Sequence, residues 1–181
     1  MLVIAVLIGF AFGAADQYLG SLVTLGSWTS SVSGMSAAWL VLPFVFGLTQ
    51  TGARRAALVG LTVTGAGLLG YFALTLSPME GVSLGHVDLI GFVGSQRLNI
   101  VGGAVTGPVF GMLGYRWRTR RSTASATLVA GAICLEPVVR YAVGRLDPPR
   151  AVWAVEALTG VAVAGYFTVA STRHRHDIRR S

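Results

Sequence analysis

Apolar runs alternate with short polar breaks along the whole chain, near residues 2 to 20, 36 to 52, 56 to 76, 97 to 115, 123 to 144 and 150 to 171. Each run is close to the roughly 20 residues that an α-helix needs to cross the hydrocarbon core of a bilayer. The breaks fall at 21 to 35, which is rich in Ser, Thr and Gly, and at 53 to 55, 77 to 96, 116 to 122 and 145 to 149. The last of these, "RLDPP", is the clearest, since its two prolines cannot continue a helix. The pattern predicts an all-α integral membrane protein, a six-transmembrane-helix bundle. Residues 1 to 171 form its one domain and residues 172 to 181 a basic cytoplasmic tail.

Two segments test that outline. "VDLIGFVGSQ", in the longest break, is apolar but short, and is expected to lie at the interface, because a seventh crossing would carry the arginines of residues 116 to 121 to the other side. "MLVIAVLIGFAFGAADQ" has the apolar centre and small-residue end of a signal peptide but no basic residues ahead of them, and is expected to remain as the first helix. The later topology is the same either way.

Composition agrees with the pattern. Apolar residues make up 53% of the chain and charged residues 12%, and the mean hydropathy is +0.67, far from the balance of a soluble domain. The net charge of +7 does not point to nucleic acid, because every basic residue is arginine and the arginines cluster in the short breaks. Topology explains them better, since arginine near the end of a span resists translocation. With the N-terminus inside, Arg54, Arg55, Arg116, Arg118, Arg120, Arg121, Arg173, Arg175, Arg179 and Arg180 are cytoplasmic, ten in all. Arg97, Arg145 and Arg150 make three on the other side. Both termini are therefore expected on the cytoplasmic side of a multi-pass protein of the cell membrane.

The absence of lysine excludes a Walker nucleotide site, a Schiff base and a lysine general base. A single cysteine, Cys134, excludes an internal disulfide. No Ser/His/Asp spacing and no HExxH motif is present, so no cofactor, metal or catalytic residue is assigned. His86 with Asp88, and His174 with His176, are too few ligands to close a coordination sphere.

The chemistry lies inside the spans. "CLEPVVRYAVG" places Glu136 and Arg140 four residues apart on one helix face. At about 1.5 Å per residue, Glu136 falls roughly 12 Å, Arg140 roughly 6 Å and Glu156 of the next helix roughly 9 Å below the outer surface. A charged group at mid-membrane costs about 2.5 to 3.5 kcal/mol on insertion scales, which demands pairing or an aqueous cavity. Asp16, Gln17, Trp39, Tyr71, Arg97, Asn99 and Trp153 crowd the same outer half. Two readings stay open. One is an outward-facing pocket for a small polar or charged solute, with Glu136, Arg140, Glu156 and Asn99 as polar ligands and Trp39, Tyr71 and Trp153 as walls. The other is a buried ion-pair network that holds the bundle in register.

Small residues recur four apart, as Gly9 and Gly13, Ala11 and Ala15, and Gly103, Gly107 and Gly111. Such spacing lets helix backbones approach closely in lipid, either within the bundle or against a partner membrane protein through the first helix. Pro43, Pro108 and Pro137 are expected to kink their spans.

Through "GFAFGAADQYLGS", "SAAWLVLPFVFGLTQ", "RRAALVGLTVTGAGLLGYFAL" and "LEPVVRY", the whole chain resembles a family of small actinobacterial integral membrane proteins to which no activity is assigned. In outline it is also similar to the substrate-binding S-components of energy-coupling-factor transporters. That resemblance implies six helices, a solute site near the outer face and an AxxxA motif on the first helix that docks a coupling subunit. Ala11 and Ala15 match the spacing of that motif.

Overall fold

The structure, a computed structural model, describes residues 1–77, 88–142, 144 and 150–180, and of these the side chains of all but 23, 123, 168 and 171–180. Every element among them is helical: α1 Leu2–Ser21, α2 Ser27–Ser33, α3 Ser36–Leu48, α4 Ala53–Thr75, α5 Leu89–Ser95, α6 Arg97–Arg120, α7 Thr123–Ala142 and α8 Arg150–Arg180, with a 3-10 turn at Val23–Leu25. Without water to satisfy its amides, apolar sequence in a bilayer must close its hydrogen bonds within each segment, and long helices do so.

Among the described residues four single helices are long and apolar enough to cross a membrane: Leu2–Ser21, Ala53–Thr75, Arg97–Arg120 and Ala124–Ala142. α2 and α3 make a fifth if the pair, bent by 41° at its junction, is taken as one span. The run expected at 36 to 52 is thus shorter than expected. Its 13 residues rise only about 20 Å, against a hydrocarbon core of about 30 Å. If the pair is one span, the remainder comes from α2, inside what the sequence pattern marks as a break. Its hydroxyls are satisfied locally by the helix backbone. Thr29 Oγ1 donates to Gly26 O at 2.9 Å, Ser30 Oγ to Ser27 O at 2.9 Å and Ser31 Oγ to Ser27 O at 3.1 Å, so each buries or shields its own polar group.

α4 is the central helix, with α1 on one side and α6 on the other. Both contacts depend on missing side chains. A Cβ at Gly13 would collide with the carbonyl oxygen of Gly67, and one at Gly60 with that of Gly107. The repeated small residues of α1 and α6 therefore meet α4. α3 packs on α4 and α6, and Ala5, Phe46, Val59 and Val63 form one core between α1, α3 and α4. A second core joins α3 and α6 to the α7–α8 hairpin through Phe44, Leu113, Trp117, Ile133 and Phe167. Its aromatic rings stand edge to face, with centroids 4.4 Å apart for Trp117 and Phe167 and 5.9 Å for Phe44 and Phe167. Large apolar side chains such as Leu2, Val3, Leu7, Leu69, Leu98, Val101, Val155 and Leu158 face outward. So continuous an apolar exterior suits lipid and not water.

Gly9 and Gly13 face α4 within the chain, so the partner surface proposed for them is already covered; Ala11 and Ala15 are exposed on the other side of α1. α8 runs unbroken from Arg150 to Arg180, so no helix end separates the expected basic tail from the last run. Pro43, Pro108 and Pro137 sit inside α3, α6 and α7, whose assignments are continuous. The short apolar segment of the longest break is α5, capped by Asp88, whose Oδ1 accepts from the Gly91 amide at 3.0 Å. None of its residues is buried. His86 and the "RLDPP" break lie outside the described residues.

Candidate functional site

α3 begins abruptly after Gly34. The residue at its N-cap is Met35, which has no side-chain acceptor to offer the first amides of the helix. α7 supplies one. Glu136 Oε1 accepts from Ser36 N at 2.8 Å and Glu136 Oε2 from Ala37 N at 2.9 Å. A carboxylate at the positive end of a helix dipole, accepting two amide bonds, makes a strong cap. The other end of α3 is held in the opposite sense. Arg118 Nη1 of α6 donates to the carbonyl oxygens of Leu48 and Gln50 at 3.2 and 3.4 Å. The short helix is thus clamped by an anion at its start and a cation at its end, both from other helices.

Arg140, one turn on from Glu136, extends this junction. Its Nε and Nη2 donate to Glu136 Oε1 at 3.0 and 2.9 Å, and Nη2 also to Gly34 O. The guanidinium lies over the Trp153 ring, 4.8 Å from its centroid, a geometry that contributes about 0.5 to 2 kcal/mol. Glu156, one turn beyond Trp153 on α8, is 5% exposed. It faces the Glu136 carboxyl within side-chain hydrogen-bonding reach and also lies near Arg140, and its oxygens find no other partner among the described residues.

Beside this junction opens a cavity of about 400 Å³. It lies between α1, α3, α4, α6 and the end of α7. Trp39 and Tyr71 form apolar walls, packed edge to face with centroids 6.4 Å apart, and Phe12 backs Trp39 at 5.1 Å. Trp39 Nε1 donates to Asp16 Oδ2 at 3.2 Å, so the indole holds a carboxylate at the cavity edge. Thr64 lines the cavity too; it is 4% exposed and its buried Oγ1 has no partner among the described residues. Asn99 lines the mouth, with its amide donating to Gln96 Oε1 at 2.7 Å. Arg140 is the cationic member of the lining.

Four of the seven residues expected to line a pocket, namely Trp39, Tyr71, Asn99 and Arg140, therefore share one cavity. Glu136, Glu156 and Trp153 are not in its lining. Glu136 is turned onto the N-terminus of α3, and Trp153 and Glu156 are buried against α7. Sequence reading missed Thr64 and the serines of the α2–α3 turn, Ser33 and Ser36, which also line the cavity. The "SGMS" turn carried a signal for the cap of α3, since a helix that starts at Ser36 without a capping side chain needs an anion from elsewhere. No protein-family model, curated protein or solved structure matches the chain.

Proposed function

We propose that this chain is a binding protein of the cell membrane that takes up a small polar solute from the outer side, as a component of a transporter. In this reading α8 is the sixth crossing, α2 with α3 the second, and both termini are cytoplasmic. The observation that carries it is the cavity of about 400 Å³ with Asp16 and Arg140 in its lining. Its size falls within the range of small-molecule sites, about 300 to 1,000 Å³. Opposite charges above an aromatic wall favour a zwitterion of amino-acid size, its ammonium group toward Asp16 and its carboxylate toward Arg140. The chain has no nucleotide-binding lysine, so energy for transport comes from other chains, as the outline resemblance to S-components implies. Ala11 and Ala15, exposed on α1, are the small-residue face left for such a partner.

The experiment is a thermal-shift screen of the detergent-purified chain against amino acids, vitamins and divalent metals. A ligand at a hundred times its Kd stabilises by about 2.7 kcal/mol. At least one zwitterion should raise the midpoint, and Asp16→Asn should abolish the rise. A rise that this variant retains in full excludes this cavity as the site.

A second reading is supported by Glu136, whose contacts hold α3 in place. There the charges serve assembly alone, and no compound in the screen gives a shift.

A further inference from the structure

At the opposite end of the bundle, a second hollow of about 410 Å³ runs along the seam between α3 and α6 on one side and the α7–α8 hairpin on the other. The hairpin meets the other helices much less closely than α7 and α8 meet each other, and the seam is open to the outside of the bundle, where Val45 and Tyr166 are exposed. Its floor is hydrocarbon, from Val45, Leu48, Ile133 and Val163, with the edges of Trp117 and Phe167. Its end is cationic. Arg118 and Arg121 both line it. Arg121 ends α6 with φ of 44°, in the left-handed region, where its own amide caps the helix by donating to Trp117 O at 3.0 Å. Few residues without a glycine's freedom adopt that conformation. Here it folds the side chain back, so that the guanidinium lies 5.4 Å from the centroid of the Trp117 ring. Arg118 uses one nitrogen on the carbonyls of Leu48 and Gln50, which leaves the rest of its five-donor fork for an anion.

We infer that this seam binds an anionic phospholipid, one acyl chain lying in the groove between α3 and α8 and the phosphate seated against Arg118 and Arg121. The occupant follows from the two chemistries the groove joins. An apolar trough between helices is matched by a lipid tail, and a fork of guanidinium groups at its end is matched by a phosphate. A basic pocket between membrane helices is the expected seat of such a headgroup. A lipid held there also fills the contact that the loosely attached hairpin lacks. The inference stands apart from the solute cavity, which shares no residue with the groove.

The test is native mass spectrometry of the full chain in detergent, with phosphatidylglycerol and phosphatidylcholine of identical acyl chains in equal amounts. The wild-type chain should retain phosphatidylglycerol preferentially. Arg121→Gln, which leaves the α3 clamp intact, should reduce that preference about fivefold, the effect of one arginine near an anionic headgroup. Arg120→Gln, on the same helix end but outside the groove lining, should leave it nearly unchanged. Val45→Trp, at an exposed position of the trough, should reduce retention of phosphatidylglycerol while keeping both arginines. Equal retention of the two lipids overturns the inference. So does an equal loss in Arg120→Gln and Arg121→Gln, which means general surface attraction, and so does displacement of the lipid by millimolar inorganic phosphate, which means an anion site without a tail.

Discussion

Glutamine at position 136 keeps the shape of the side chain and removes its charge. In the structure the carboxylate serves four donors, the amides of Ser36 and Ala37 and the Nε and Nη2 of Arg140, at 2.8 to 3.0 Å. A glutamine has one acceptor oxygen, so in either orientation its NH₂ group is turned on a donor. Hydrogen bonds to charged groups contribute about 1.5 to 3 kcal/mol each, and a charge at a helix terminus up to about 2 kcal/mol in partly buried geometry. With one bond lost outright and the rest weakened, Glu136→Gln should cost about 3 kcal/mol. For a chain of this size that is a fall in Tm of roughly 6 to 12 °C. The assay is unfolding in mixed micelles followed by tryptophan fluorescence, run in the wild-type and Arg140→Leu backgrounds. Capping of α3 does not pass through Arg140, so at least half of the loss should persist in the second background. A loss below about 1 kcal/mol, or one that vanishes when Arg140 is absent, would refute the view of Glu136 as the cap of α3.

Two further outcomes are expected. Glu156→Met should leave stability unchanged or raise it by about 1 to 4 kcal/mol in the same assay, because a buried carboxyl set against the Glu136 carboxyl gives way to a well-packed apolar side chain; a loss above about 2 kcal/mol would show that the contact of Glu156 with Glu136 and Arg140 is stabilising. Cysteine placed at Ser30 in a Cys134→Ala chain should react with a membrane-impermeant maleimide from outside the cell, and cysteine at Ser122 should not; labelling at Ser122 would reverse the proposed orientation.

The all-helical class, with helices long and apolar enough to span a bilayer, was legible in the sequence because apolar composition and run length are read directly from the chain. An apolar stretch of about 20 residues has few alternatives to a spanning helix. The first, third, fourth and fifth runs appear as α1, α4, α6 and α7, and the apolar segment of the longest break appears as α5. The junction of Glu136 and Arg140 was also readable, since a spacing of four places two side chains on one helix face whatever surrounds them.

What the sequence did not determine is which backbone each polar or small residue meets. Gly9 and Gly13 carry the spacing of a partner-binding face, but a glycine stripe does not say whether its partner lies within the chain, and α4 takes it here. Glu136 reads as a ligand group until α3 is seen to start against it without a cap of its own. Thr64 gave no warning in a run of small residues, because its meaning depends on the unpaired hydroxyl and on the cavity beside it. Helical periodicity is local and follows from the order of residues along one segment. The lining of a cavity and the cap of a helix are relations between segments far apart in the chain, and only their packing decides them.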